Sequence, residues 1–216
     1  MQNDISGLCF SNPSDLTTLF KGIEIENIRI DFKEYTEGFP LEWEKFTEGK
    51  NVKGAFHGLE NSNLLSTIFA KGKTAKEEIL SAFKQGIDNG NDLQFHFEVG
   101  SDYFLELAKL KAFRILWKNK TGKTPFIFAA STLANKEEEF AYNNLLRTTT
   151  ECMSAIFGGA NAIMINSYNH SFEIPTEFSE RIARNQQTIL RKESYLDKVI
   201  DPSKGSYYVD YLIHEL

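Results

Sequence analysis

The 216-residue chain is short of several things, and each shortage excludes something. It has only two cysteines, Cys9 and Cys152, too few for a disulfide framework or a cysteine metal cage, and that scarcity suits a reducing, cytoplasmic compartment. Positive charge is in deficit: the formal net charge is -6, so nonspecific attraction to nucleic acid or an anionic membrane is not expected. No apolar run approaches the roughly 18–20 residues that span a bilayer. No charged-then-apolar leader opens the sequence. Histidine is scarce at four copies, a poor stock for acid–base chemistry. What is plentiful is phenylalanine, 18 copies within an apolar fraction of 41%, the balance of a globular chain with a sizeable core.

Short apolar runs alternate with amphipathic ones. Candidate strands are Leu8–Ser11, Ile28–Phe32, Gly54–Gly58, Ser66–Phe69, Gln94–Val99, Phe126–Ser131 and Ala162–Ser167. Helical spacing is expected over Pro13–Lys21, capped by Ser11 or Asn12, and over Thr74–Asp88, where Thr74 and Glu77 have capping-box spacing. It is expected again over Asp102–Lys118, Phe140–Phe157 and Phe178–Ser194. Gly158-Gly159 should stop the fourth of these. Strand–helix alternation predicts an α/β fold with a parallel sheet. A (β/α)8 TIM-type barrel truncated at its N-terminus, with about seven strands present, fits the count. A doubly wound sheet is the rival, although no dinucleotide-binding glycine fingerprint follows any strand. Residues 1–216 read as a fragment of one barrel domain cut from a longer chain. Lys33–Lys53, with Gly38, Pro40, Trp43 and five glutamates, is expected to be an insertion or functional loop.

In a parallel barrel the functional groups sit at the C-terminal strand ends, here Ser11-Asn12, Asp31–Lys33, Gly58–Glu60, Gly100-Ser101, Ser131-Thr132 and Asn166-Ser167. Gln94, His96 and Glu98 share one strand face. They form either a hydrogen-bonded polar layer or a base–orienter pair for an independent isomerase or hydrolase. His57 is either a rim histidine or a ligand-facing imidazole. His170 is expected to face solvent. On the fourth helix the apolar stripe is Tyr142, Leu145, Leu146, Thr149, Met153 and Ile156. Asn143 and Asn144 could dock a neighbouring loop, Arg147 should pair with Glu151 at i+4, and Glu137–Glu139 is a charged cap. On the last long helix Phe178, Ile182 and Ile189 form a stripe that includes Asn185, so that amide needs a partner or a ligand. Arg181 and Arg184 either bind an anion or pair with Glu177 and Glu180. No metal cluster is apparent.

Several segments resemble one family. Tyr142-Asn143-Asn144-Leu145-Leu146-Arg147-Thr148-Thr149-Thr150-Glu151 resembles the "YNN..RTT.EA" helix of the adenosylcobalamin-dependent methylmalonyl-CoA mutases. Pro175–Gln187 resembles their "PTEFSARIARNTQ" segment, Asp201–Val209 their "DP.GGSYYVE", and Phe104–Leu110 with Leu116-Trp117 their "FFMEIAKLRA…LW". In catalytic members a "THSQTSGWS" segment supplies a histidine close to the substrate. Counted back from Tyr142, that position is Phe128, which cannot donate to a developing oxyanion. A glutamine of the family's "GTIQND" strand is replaced by His57. The cobalt-ligating "DxHxxG" motif is absent from the sequence. These departures resemble the non-catalytic small subunit of the heterodimeric mutases. The resemblance implies a catalytic large-subunit partner that carries adenosylcobalamin, and no cofactor on this chain. Arg147, Arg181, Arg184, Asn185 and Gln187 match motif positions and are candidates for architecture or for a vestigial acyl-CoA channel, with Asn143 beside them. The two sheet edges of such a fragment would also favour self-association.

Overall fold

In the computed structural model, residues 7–58, 63–90 and 93–216 are described. Two compact units result: residues 1–68 with 88–94, and residues 69–87 with 95–216. The strands are β1 (Gly7–Ser11), β2 (Arg29–Glu34), β3 (Lys53–Phe56), β4 (Leu65–Phe69), β5 (Leu93–Val99), β6 (Phe126–Ser131) and β7 (Ala162–Met164). The helices are α1 (Leu16–Leu19), α2 (Phe39–Phe46), α3 (Ala75–Asn89), α4 (Tyr103–Thr121), α5 (Asn143–Phe157), α6 (Glu177–Lys192) and α7 (Tyr207–Glu215). The described residues form an α/β fold with seven strands. The pairs β1/β2, β2/β3, β3/β4 and β6/β7 all run parallel. Within each unit strand order equals chain order. A doubly wound sheet reverses its order at a switch point, and neither unit contains such a reversal.

In the first unit the parallel register sorts side chains by face. Ile30, Phe32 and Phe56 turn to one side and are fully buried. They meet Phe20, Phe39 and Trp43 in an aromatic core, with Phe32 4.9 Å from both Phe39 and Trp43, ring centre to ring centre. Trp43 belongs to α2, inside the stretch expected to be a loop. Gly38 turns into the helix with φ of 92° and Pro40 occupies its first turn, both favourable at a helix start. Phe39, Trp43 and Phe46 then fall on one side at i, i+4 and i+7. Of the glutamates that suggested a loop, Glu42 and Glu44 belong to the helix and the others flank it. Gly54 lets β3 approach β2: a Cβ there would lie 1.6 Å from the Ile30 carbonyl oxygen. The first helix is also shorter than expected. Asp15, not Ser11 or Asn12, caps it, accepting from Thr17 and Thr18 N–H.

In the second unit α4 carries the core. Asp102 caps it through Leu105 N–H and Gly122, at φ of 73°, ends it. Its Phe113 and Trp117 meet Phe95 at 4.8 and 4.6 Å. Lys109, also on α4, is almost fully buried. Its ammonium reaches Glu78 at 2.6 Å, Glu106 at 2.5 Å and the Glu98 carbonyl at 2.8 Å. Two hydrogen bonds, to Glu78 and the Glu98 carbonyl, and the ion pair with Glu106 compensate the burial of this charge. Thr74 Oγ1 accepts Glu77 N–H at the start of α3. Gly158-Gly159 ends α5, with Gly159 at φ of 80°. Among the described residues no helix is long and apolar enough to cross a membrane.

The apolar stripes expected on α5 and α6 are only in part the packed faces: Met153 and Ile156 pack, half-buried, against Cys152, Ile165, Ala183 and Leu190. Leu146 and Tyr142 are exposed, and α5 buries Asn144, Thr148, Glu151, Cys152, Ser154 and Ala155. On α6 the buried side chains are Ser179, Ala183 and Leu190, while Phe178, Asn185 and Ile189 are exposed. Small and polar residues make up much of the fully buried side, so a hydrophobic stripe locates it only in part.

Candidate functional site

The second unit gathers its polar groups at the C-terminal ends of β5, β6 and β7. Thr132, just past β6, donates to Glu98 Oε2 at 2.8 Å. Asn135 donates to Ser101 Oγ and to Glu151 Oε1, both at 2.6 Å. Lys136 clasps both oxygens of Glu151 at 2.8 and 2.9 Å, and neither side chain of that pair has any exposed surface. Burial pushes the Glu151 carboxyl up against the pull of Lys136 and Asn135. Burial also pushes the Lys136 ammonium down.

A second clasp lies at the start of α5. Asn144, fully buried, accepts Glu137 N–H at 3.1 Å and donates to the carbonyls of Glu137 at 2.8 Å and Tyr168 at 2.9 Å. It thus ties the segment after β6 to the segment after β7. Arg147 donates to Asn144 Oδ1 at 2.7 Å and pairs with Glu137 at 2.8 Å. The expected Arg147–Glu151 pair does not form, because Lys136 occupies Glu151. Asn144 is the loop-docking asparagine; Asn143 is exposed.

Phe128 lies on β6, 3% exposed. Its ring centre is 5.1 Å from that of His96, which is in turn 4.9 Å from Phe69. The imidazole therefore lies between two phenyl rings. Glu98, two residues along the strand, is engaged by Thr132. The three rings form a packed layer, while Glu98 itself is exposed.

In the first unit Arg29 grips Asp31 in a two-pronged pair, Nε–Oδ2 at 2.8 Å and Nη2–Oδ1 at 2.9 Å, and also donates to Gln94 Oε1. Gln94 passes the chain on to Thr67 Oγ1 at 3.3 Å. Burial raises the Asp31 carboxyl against the opposing charge of Arg29. His57 follows β3 and is 8% exposed. Burial, then the charges of Lys33 and Arg29, push its imidazole down to about 4, so it is neutral at pH 7. His170, expected to face solvent, is half-buried. Glu60, at another expected strand end, lies outside the described residues.

The remaining candidates do not come together. Arg181 and Arg184 are exposed, and neither joins an ion pair with Glu177 or Glu180 among the described residues; Arg181 lies over the Phe178 ring at 5.6 Å. Asn185 points away from the packed side of α6, since the true buried face is offset from the expected stripe. Gln187 is half-buried, and its neighbour Gln186 makes the contacts: its amide donates to Leu145 O at 2.7 Å, Thr148 Oγ1 at 2.9 Å and Thr149 Oγ1 at 2.7 Å. Gln186 and Lys136 carry no sequence signal, because each is one of many polar residues on a polar segment.

A cobalt-ligating histidine does not fit the donors present. His57 and His96 are buried, and His214 is on the exposed side of α7. His170 is half-buried, and none of the four stands in a "DxHxxG" segment.

Comparison with known proteins places this arrangement. A family model described as methylmalonyl-CoA mutase matches residues 73–216. The methylmalonyl-CoA mutase small subunit of Porphyromonas gingivalis is 42% identical over 163 residues, 70% of this chain and 26% of the relative. The large subunit from the same organism is 37% identical over 149 residues, 62% of this chain and 21% of that protein. A methylmalonyl-CoA mutase from Cereibacter sphaeroides is 34% identical over 198 residues, 86% of this chain and 27% of its own length. The chain thus spans about a quarter of the length of the curated relatives it matches. The match covers α3 through α7 and takes in the Lys136–Glu151 and Asn144–Arg147 clasps, and on it the chain belongs to the methylmalonyl-CoA mutase family.

Proposed function

We propose that this chain is the barrel portion of a methylmalonyl-CoA mutase small subunit. It acts as a non-catalytic scaffold for a catalytic large subunit in a reducing, cytoplasmic compartment. The large subunit carries adenosylcobalamin and the interconversion of (R)-methylmalonyl-CoA and succinyl-CoA. The supporting observation is the ring layer Phe69–His96–Phe128. A phenyl ring at position 128 has no donor for a carbonyl oxygen on which charge develops. The rings fill that strand face with side-chain carbon where a ligand would need room. The clasps at Lys136 and Asn144 hold the neighbouring loops in one arrangement, which suits a scaffold. Arg147 serves that architecture, and Arg181, Arg184, Asn185 and Gln187 are left to surface roles.

The test is an assay of succinyl-CoA conversion by the chain alone, by a large subunit alone, and by both together. The expected result is no turnover by the chain alone and a gain in activity or lifetime of the large subunit on mixing. Turnover by the isolated chain that is lost in His96→Gln would overturn the proposal. It would favour the independent isomerase or hydrolase built on His96 and Glu98.

A further inference from the structure

Helix α6 carries two ordered faces. Ser179, Ala183, Gln186 and Leu190 recur at i, i+4, i+7 and i+11. Ala183 and Leu190 pack with Cys152 of α5, and Gln186 bonds Leu145, Thr148 and Thr149. Phe178, Ile182, Asn185 and Ile189 each stand one residue earlier, about 100° round the helix. There Phe178, Asn185 and Ile189 are exposed and Ile182 is half-buried. Exposed apolar side chains also stand at both ends: Ile174, just before the helix, is 90% exposed, and Tyr195, just past it, 59%. Apolar groups gathered along one face and rimmed by charge mark an interaction site.

Tyr195 is an independent sign. Its φ is 52°, in the left-handed region that glycine enters freely and a bulky side chain does not. The turn has its own purpose. Leu196 N–H returns to the Leu190 carbonyl at 3.1 Å, and the Leu196 side chain packs against the cluster of Cys152, Ile165, Ala183 and Leu190. Glycine would make the same turn without strain. An exposed tyrosine held at that cost calls for a contact made by its ring.

Charge indicates what covers this face. Glu177 and Glu180 are exposed at the start of α6, and Arg191 and Lys192 at its end, with Arg184 between. Arg191 meets Asp197 at 3.5 Å, an exposed pair of little strength. A second copy of the helix laid antiparallel sets each acidic start against a basic end. Parallel copies would oppose like charges.

We propose that α6 is a self-association face of this chain, covered by a second copy packed antiparallel about a two-fold axis near the middle of the helix. The axis brings Phe178 of one copy toward Ile189 of the other, Ile182 toward Asn185, and Tyr195 toward Ile174. Such a contact is isologous and closes at two copies. Asn185 lies near the axis in an apolar seam, where a polar side chain fixes the register at a cost in affinity.

The test is sedimentation of the full 216-residue chain over a concentration series. The expected result is a reversible dimer that Ile189→Lys weakens at least about tenfold with little change in melting. Tyr195→Gly should act in opposite directions, raising the melting temperature of the dilute monomer while weakening the dimer. Asn185→Leu should tighten it. Reversing the basic end alone, Arg191→Glu with Lys192→Glu, should weaken the dimer, and adding Glu177→Lys with Glu180→Lys in the same chain should restore it. A chain that stays monomeric to about 1 mM would overturn the proposal. So would a dimer that Ile189→Lys and Tyr195→Gly leave unchanged, since its contact would lie elsewhere, at the sheet edges for example. Capture by a mutase large subunit that Ile189→Lys abolishes, with no self-association of the chain, would give the face to that partner and overturn it as well.

Discussion

Replacing Lys136 by Met would expose how much the clasp on Glu151 contributes. Both side chains are fully enclosed, so the substitution leaves a carboxylate in the interior without its cation. Removing one partner of a buried pair costs about 3–5 kcal/mol. Asn135 still donates to Glu151, and a retained hydrogen bond to a charged group offsets about 1.5 kcal/mol. A loss of about 2–3 kcal/mol is therefore expected, roughly a fiftyfold drop in the folded-to-unfolded ratio. Denaturant unfolding followed by tryptophan fluorescence would measure it. The pH dependence gives the stricter check. Burial already raises the Glu151 carboxyl, and losing Lys136 raises it further. A raised carboxyl binds more protons folded than unfolded, so its contribution is greatest in acid and is lost as pH rises through the folded value. The Lys136→Met penalty should therefore shrink from pH 7 to pH 5. Replacing both residues, Lys136→Met with Glu151→Leu, should recover most of the loss. A single variant within about 0.5 kcal/mol of the parent, the scale of an inert surface change, or a penalty that grows in acid, refutes the reasoning.

Two further outcomes follow from the same geometry. Asn144→Ala should cost about 1–2 kcal/mol, since it removes a fully buried amide that satisfies two part-buried carbonyls and an N–H. Hydrogen exchange should then show the segments around Glu137 and Tyr168 loosening together. Gly54→Ala should unfold the first unit or sharply lower its melting temperature, because the added carbon cannot share space with the Ile30 carbonyl; a soluble variant with unchanged melting would contradict the observed β2–β3 spacing.

The strands were legible in the sequence because each is an apolar run bounded by turn residues, and such runs have few other uses. Seven were expected and seven occur among the described residues, with shifts of one or two residues at most ends and a β7 that stops three residues early, at Met164. Helix α2 was hidden because Gly38 and Pro40, usually breakers, stand at its start, where they are tolerated. The faces of α5 and α6 were misjudged for a different reason. Hydrophobic periodicity locates a packed side only where that side is apolar, and here Thr148, Ser154 and Ser179 are buried alongside Cys152, Ala155, Ala183 and Leu190. The Arg147 pairing failed because helical spacing proposes a partner but cannot see a competitor such as Lys136 arriving from a loop. Asn144 was found because an asparagine at a helix start has a known use. Family motifs pointed to α5, α6 and α7 but not to which residue in each does the holding: Gln186 works where Gln187 and Asn185 were singled out.

The seat of α6 on α5 rests on that glutamine. An oily contact tolerates sliding, since one methyl replaces another at little cost. An amide fitted to the Leu145 carbonyl and two threonine hydroxyls does not, for a shift of one residue would strand the donor and the acceptors at once. Swapping Gln186 for leucine could thus keep the two helices together and still lose the single alignment that the native pair adopts.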